Sequence, residues 1–325
     1  MLSDTFGRRH DYLRISLTDN CNFRCRYCMP EEEMQFHPDE QLMQPDEIEA
    51  LAKIFVQLGT RKIRLTGGEP LVRKDAGNII ERLAALPVQL TLTTNGFLAD
   101  RYIDLFHASN IRSLNISIDS LSPEKFLAIT RRDKFDTVWK NILTMVEQDF
   151  HVKLNCVVME GVNDDELLDF VALTKDLPVH VRFIEFMPFT GNHWNNKAVF
   201  TWQQMLERIS GKFLFKKLSD EPNDTAKKYQ VPGHAGTFAV ISTMSAPFCS
   251  TCNRMRLTAD GKMKNCLFSA GETDLLTALR NGDDVEARIR KNLDEKQEMM
   301  GGQFTDYSVT NPDEIQNRTM ISIGG

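Results

Sequence analysis

Residues 12–28 read YLRISLTDNCNFRCRYC, a run of strand-forming residues that ends in three cysteines, Cys21, Cys25 and Cys28. The composition of Tyr12–Thr18 predicts a β-strand, so the cysteines fall on the loop just beyond its carboxyl end. Clusters of the four-iron type normally take four thiolates, so three leave one iron open to something other than protein. An open iron points to chemistry rather than structure.

Outward from this segment the strand pattern recurs. KIRLT (Lys62–Thr66), QLTLTT (Gln89–Thr94), SLNISI (Ser113–Ile118), VKLNCVVM (Val152–Met159) and HVRFIEF (His180–Phe186) all read as strands, with helical patterns between them. In QPDEIEALAKIFVQLGT, Pro45 suits a first helical turn, the acids Asp46, Glu47 and Glu49 suit the positive end, and Gly59 suits the exit. Asn163–Glu166 reads as a cap before LLDFVALTK. Alternating β and α units imply a parallel sheet with right-handed crossovers. Six units are two short of a closed eight-fold barrel, so the fold class is α/β, an incomplete (β/α)6 barrel with one side open. Chemistry is then expected at the carboxyl ends of the strands.

A second trio, Cys249, Cys252 and Cys266, sits in CSTCNRMRLTADGKMKNC, and of the seven cysteines only Cys156 is left over, in an apolar run that reads as core. Three disulfides would suit a short secreted chain, not 325 residues whose opening, MLSDTFGRRHDYLRIS, carries charges where a signal peptide needs an apolar stretch. Zinc also favours C-x2-C but fills four tetrahedral positions, for which His37 is the nearest extra donor to the first trio and His234 to the second. For the second trio zinc stays open at this point, since a distant residue can complete a site.

At 42% hydrophobic and 26% charged, the composition is that of an ordinary globular protein of one large domain or two. No apolar run approaches a membrane span. A net charge of −6 argues against broad nucleic-acid binding, though not against a local basic pocket for a small polyanion. Thiolate–iron chemistry implies a reducing interior, hence cytoplasm. GNHWNN (Gly191–Asn196) marks a boundary between residues 1–195 and a C-terminal domain, 196–325, in which TWQQMLERI, TDLLTALRNG and DDVEARIRKNLDEK read as helices and FLFKKL (Phe213–Leu218) as a strand.

Polar motifs follow the strands: TGGEP (Thr66–Pro70), TTNG (Thr93–Gly96) and SISID with Ser117 and Asp119, while Lys153 and Asn155 lie on the fifth strand and Met187 just past the sixth. Gly67 and Gly68 would let a ligand approach the backbone, with Glu69 accepting hydrogen bonds. Lys153, facing a barrel interior, needs an anionic partner.

The cysteine spacing with Tyr27 before the last thiol, followed by TGGEP, resembles the radical S-adenosylmethionine (SAM) superfamily. RISLTDNCNFRCRYCMP, KIRLTGGEPLVR, RFIEFMP, the second trio with NRMRLT and the terminal Gly324-Gly325 together resemble the GTP 3′,8-cyclase family of molybdenum cofactor biosynthesis, over nearly the whole chain. The resemblance implies two [4Fe-4S] clusters, on Cys21, Cys25 and Cys28 and on Cys249, Cys252 and Cys266, the second in the C-terminal extension of a radical SAM partial barrel. It implies SAM as cofactor, near Tyr27, Gly68, Glu69, Thr94, Ser117, Lys153 and Met187. It further implies GTP as substrate, held by Arg14, Lys62, Arg64, Arg182, Arg254 and Arg256, with hydrogen abstraction from C3′ and C3′–C8 bond formation. Arg254 and Arg256 are counted with the first cysteine trio as catalytic.

Physical chemistry supports that set: arginine's planar fork binds phosphate oxygens bidentately, and Arg254 and Arg256 share one face of an extended RMRLT. The family also implies an electron donor, a downstream pyranopterin-forming enzyme and a terminal glycine pair that reaches into the site; the sequence does not give the oligomeric state, and a homodimer is one option. Glu31–Gln44 reads as an acidic loop beside the first cluster.

Overall fold

The computed structural model describes residues 1–29, 36–309, 311 and 314–324. Twelve strands form one sheet in the order β12-β11-β10-β1-β2-β3-β4-β5-β6-β9-β8-β7. The first six are β1 (Tyr12–Ser16), β2 (Lys62–Thr66), β3 (Gln89–Thr94), β4 (Ser113–Ser117), β5 (His151–Val158) and β6 (His180–Glu185), all paired in parallel. Their helices are α1 (Pro45–Gln57), α2 (Ala76–Ala84), α3 (Ile103–Ala108), α4 (Pro123–Thr130), α5 (Phe135–Glu147) and α6 (Leu167–Leu173). Periodicity explains these elements: Ile48, Leu51, Ala52 and Phe55 form the buried stripe of α1, and its first turn carries Pro45 and a capping box from Gln44 to Glu47.

The later half adds α7 (Trp202–Ser210), β7 (Lys216–Lys217), β8 (Lys227–Gln230), β9 (Thr237–Ile241), β10 (Arg254–Leu257), β11 (Lys262–Lys264), β12 (Thr273–Asp274), α8 (Leu276–Asn281), α9 (Val285–Asp294) and α10 (Met320–Ile323). Its strands extend the six-stranded core at both edges, with β9 parallel to β6 and β10 parallel to β1. The sheet therefore does not break at residue 195. Side chains from β1 to β6, β9 and β10 line one cavity of about 630 Å³, which requires the open sheet to curl around it.

Several local expectations are corrected. Asn163 does not cap α6; its side chain bonds Asp119 O at 2.7 Å, Val157 O at 2.9 Å and Met159 N at 2.9 Å, tying the end of β5 to that of β4. FLFKKL keeps only Lys216–Lys217 as strand. TDLLTALRNG opens with β12 before its helix. Cys156 is core, 1% exposed. Residues 31–35 of the acidic-loop reading lie outside the described residues, as do Pro30 and Gly325. No helix among the described residues is long and apolar enough to cross a membrane.

Candidate functional site

The first cysteine loop leaves β1 and is fixed by backbone bonds. Gly68 N donates to Thr18 O at 2.7 Å and Glu69 N to Asn20 O at 2.8 Å; Arg24 N and Arg26 N donate to Thr130 O and Ile129 O, each at 3.0 Å. A Cβ on Gly67 would stand 2.6 Å from Thr18 O, and one on Gly68 would meet the Asn20 and Asp19 carbonyls. The glycines therefore serve backbone-to-backbone packing of the TGGEP turn against the cysteine loop, rather than ligand approach alone.

Glu69 is tied into the same turn. It is 1% exposed and does not line the cavity; its carboxylate accepts from Thr94 Oγ1 (2.8 Å), Asn95 N (2.6 Å) and Leu71 N (3.1 Å). Burial pushes it up to about 7 despite those donors. Asn95 in turn reaches Cys21 Sγ at 3.8 Å. Tyr27 donates its hydroxyl to Asp119 Oδ2 at 2.8 Å, and Asp119 Oδ1 accepts from Val157 N at 2.9 Å. Burial pushes Asp119 up to about 6 and the Cys21 thiol up to about 12, with Cys25 and Cys28 also raised by burial.

The second trio owes its spacing to a hairpin. Cys249 and Cys252 share a 3-10 turn, closed by Cys252 N donating to Cys249 O at 3.1 Å, immediately before β10. β11 returns antiparallel to β10 through a turn in which Gly261 adopts φ +71°, so Cys266, just past β11, comes back beside Cys252. Burial would raise the Cys252 thiol, but Arg254 and Lys296 overcome it and bring it down to about 7. Because β10 runs parallel to β1, the second trio lies at the amino end of that strand pair and the first at its carboxyl end. Candidate ligands are thus not confined to the carboxyl ends.

Between the trios lie the cations. Register sets Arg254, Tyr12 and Lys62 in one row and Arg256, Arg14 and Arg64 in the next. Arg182 and Lys153 face the same cavity from β6 and β5. Burial, and then like charge, lowers these groups: Arg256 to about 10, Arg182 to about 9 and Lys153 to about 7, with Arg14 well below its ordinary range. Tyr12 gives its oxygen to Arg64 Nε, and although burial opposes it, Arg64 and Arg14 draw the phenol down to about 7. Buried Arg182 Nε and Nη2, Asn115 Oδ1 and Asn155 Oδ1 have no protein partner. Such orphaned donors and acceptors are costly unless a polar ligand completes them.

The C-terminal segment closes this region. Arg318 grips Asp260 at 2.8 and 2.9 Å and Glu272 at 2.6 Å, and Gly324 O accepts from Arg256 Nη1 at 2.8 Å.

All six cysteines of the two trios, Tyr27, Gly68, Thr94, Ser117, Lys153, Met187, Arg14, Lys62, Arg64, Arg182, Arg254 and Arg256 line the one cavity, whereas Glu69 and Gly324 do not. Asp119 of the SISID motif lines it too; Tyr12 and Asn115 on its wall, and Arg8 and Lys296 behind it, were not singled out by sequence, strand alternation with the cysteine loop signalling Tyr12 and Asn115 and nothing local signalling the other pair. Two sets of three thiols, soft donors facing a roomy cavity, fit iron–sulfur clusters, and the orphaned polar atoms fit a charged organic ligand. Among the described residues no three His, Cys, Asp or Glu side chains stand together as a site for a single metal ion.

Two family models match the chain, Radical SAM superfamily over residues 15–174 and Molybdenum Cofactor Synthesis C over residues 179–301. It is similar to "GTP 3′,8-cyclase, mitochondrial" of Arabidopsis thaliana, 46% identical across 100% of this chain and 84% of that protein. It is also similar to the GTP 3′,8-cyclase of Peptoclostridium acidaminophilum, 39% identical across 100% of this chain and 98% of that protein. Molybdenum cofactor biosynthesis protein 1 of Mus musculus is 46% identical across 99% of this chain, which spans about half (51%) of that relative's length. Among solved structures, Streptococcus suis SuiB superposes with a TM-score of 0.60 over 88% of this chain and 68% of that one, at 14% identity, a likeness of fold alone.

Proposed function

The chain belongs to the GTP 3′,8-cyclase family of the radical SAM superfamily, and from that premise we propose that it converts GTP to (8S)-3′,8-cyclo-7,8-dihydroguanosine 5′-triphosphate, the first step of molybdenum cofactor biosynthesis. The carrying observation is one cavity that holds a thiol trio at each end and two rows of cations between them. Cys21, Cys25 and Cys28 would hold a [4Fe-4S] cluster that binds SAM, and Cys249, Cys252 and Cys266 a second [4Fe-4S] cluster. When bound, the first cluster and SAM supply a carbon-centred radical able to take hydrogen from C3′ of the ribose.

The chain's own residues do the rest. Arg14, Lys62, Arg64 and Arg182 bind the triphosphate, whose negative charge offsets the burial, and after it the like charge, that lowers Arg14, Lys62 and Arg182. Arg254 and Arg256 orient the nucleoside toward the second trio. Tyr27, held by Asp119, together with Gly68, Glu69, Thr94, Ser117, Lys153 and Met187, positions SAM, the Glu69 carboxylate by holding Thr94 and Asn95 in place. Apolar Val157, Ile184, Ile241 and Phe248 on the cavity wall exclude water from the reacting carbon. We assign residues 1–195 to SAM and 196–325 to the second cluster and the tail, an external one-electron donor to the reductant, and a pyranopterin-forming enzyme to the product. We further propose a reducing compartment, the cytoplasm, as the setting that suits thiolate–iron chemistry.

The test is anaerobic. Reconstituted, reduced protein is given SAM with GTP, with ATP or with no nucleotide, and 5′-deoxyadenosine and nucleotide products are quantified. Deoxyadenosine that rises with GTP alone, alongside a new GTP-derived species, is the expected outcome; cleavage of SAM indifferent to nucleotide would move the substrate elsewhere.

A further inference from the structure

Behind the second trio two buried cations knit together its three cysteine-bearing peptides, and neither lines the cavity. Lys296, two residues past α9 and 3% exposed, donates its ammonium to Asn265 O at 2.7 Å and Arg254 O at 3.4 Å, and lies 3.9 Å from Cys252 Sγ. Asn265 precedes Cys266, and its Nδ2 donates to Asn292 O at 2.6 Å, tying the same peptide to α9. Arg8, 8% exposed, donates through Nη1 to Cys249 O at 2.9 Å and Glu298 O at 2.6 Å, and through Nη2 to Gln297 O at 3.0 Å. One cation thus holds the Cys249 peptide, and the other holds those of Cys252 and Cys266.

Charge bookkeeping separates the two. Arg8 has its own counterion, Asp4, whose Oδ2 accepts Arg8 Nε at 2.5 Å and also faces His10 Nε2 at 3.0 Å. Lys296 has no carboxylate within salt-bridge distance among the described residues, and Cys252 Sγ, 3.9 Å from its ammonium, is the side chain it reaches that can carry negative charge. A buried ammonium without a counterion is costly, so the partner that completes Lys296 is an anion at the sulfurs.

We propose that Lys296, braced by Arg8, is a positioning residue of the second cysteine trio, fixing its three peptides in one arrangement and offsetting the negative charge of the thiolates when they carry iron. This rests on the two-cluster reading above. Two consequences follow. Loss of the ammonium weakens iron retention about 10- to 100-fold, the usual effect of removing an outer-shell partner. It also moves the midpoint potential of that cluster to more negative values, because the reduced state carries one more negative charge and loses its nearby cation.

The experiment separates the trios. Lys296→Met is made in a chain with Cys21, Cys25 and Cys28 replaced by alanine, which reads the second trio alone, and in one with Cys249, Cys252 and Cys266 replaced, which reads the first. Iron retention under a chelator and midpoint potential by redox-poised electron paramagnetic resonance are measured in both. Faster iron loss and a more negative potential in the second-trio chain, with the first-trio chain unchanged, are expected; Lys296→Arg, which keeps the charge, restores much of the potential. Equal retention and potential in Lys296→Met and its parent overturn the inference. Iron loss in both chains assigns Lys296 to general folding and overturns it too. A parent second-trio chain that binds no iron instead refutes the two-cluster reading itself.

Discussion

Replacing Gly68 by alanine is expected to unseat the first cysteine loop while leaving the remainder of the fold in place. The added methyl would sit 2.6 Å from Asp19 O, 2.8 Å from Asn20 C and closer still to Asn20 O, all of them backbone atoms that cannot swing aside. Relief requires the loop to retreat, which stretches the bonds from Gly68 N to Thr18 O and from Glu69 N to Asn20 O. At ~0.5–1.5 kcal/mol each, those bonds amount to about 1–3 kcal/mol. Overpacking adds ~1–3 kcal/mol, for a local cost of about 2–6 kcal/mol. Because the strain is confined to one loop, opening that loop is less costly than unfolding a domain. The readouts are iron retained by Cys21, Cys25 and Cys28 in a chain lacking the second trio, and the urea midpoint. Gly271→Ala, where the new methyl meets nothing within 4 Å, is the control, with a change within ~0.5 kcal/mol. Gly68→Ala with full first-trio iron and an unshifted midpoint would refute the packing argument.

Arg182 has two buried guanidinium nitrogens with no protein partner, so Arg182→Gln is expected to raise the Kd for GTP by roughly 10- to 150-fold, the equivalent of ~1.5–3 kcal/mol for lost charge-assisted bonds; calorimetry with the unreduced protein measures it, and an unchanged Kd places the phosphates elsewhere. Gly324 sits at φ +85°, and a Cβ there would lie 2.7 Å from Thr66 Oγ1 and 2.8 Å from Ser16 Cβ. Gly324→Val should therefore free the tail from Arg256 and speed amide exchange over residues 319–324 without loss of first-trio iron; unaltered protection would show that this contact does not hold the tail. His180, pushed from 6.5 down to about 3 by burial and then by Arg182 and Lys153, stays neutral in the fold while the unfolded chain takes up a proton. The stability it contributes is present above pH 6.5 and lost as the pH falls toward 3. His180→Asn should gain about 2 kcal/mol on wild type between pH 7.5 and 5 by denaturant titration, and parallel stability curves would contradict the assignment.

What was legible in the sequence followed from short-range regularity. Each parallel strand of the core announced itself as a β-rich run, and the cysteine loop announced itself by spacing. The edge additions were harder to see. β9 and β10 are four- or five-residue strands whose partners, β6 and β1, lie at opposite edges of the core, and nothing local in TFAVI or RMRL says which edge it joins. The burial of Glu69 was hidden for a related reason: an acid beside two glycines looks exposed, whereas its three donors come from its own turn and from the end of β3. Arg8 and Lys296 were invisible because their partners are backbone carbonyls far along the chain, 241 positions away for Arg8 and Cys249. A carbonyl acceptor leaves no mark on the identity of its residue.

The parallel pairing of β10 with β1 explains why this chain keeps two thiol trios without their competing for one ligand. An antiparallel β10 would have brought Cys252 to the carboxyl end of β1, beside Cys21. Parallel pairing instead separates the trios by the length of β1, five residues or roughly 16 Å at ~3.3 Å per residue. That gap is lined by the Tyr12 and Arg14 rows, so an occupant reaching both ends must carry its negative charge where those cations point. A nucleoside triphosphate has the length and the charge to do so. A neutral occupant would leave the buried positive charge of Arg182 uncompensated, which disfavours a ligand without an anionic tail. On this reading the selection of substrate begins with the register of one strand pair.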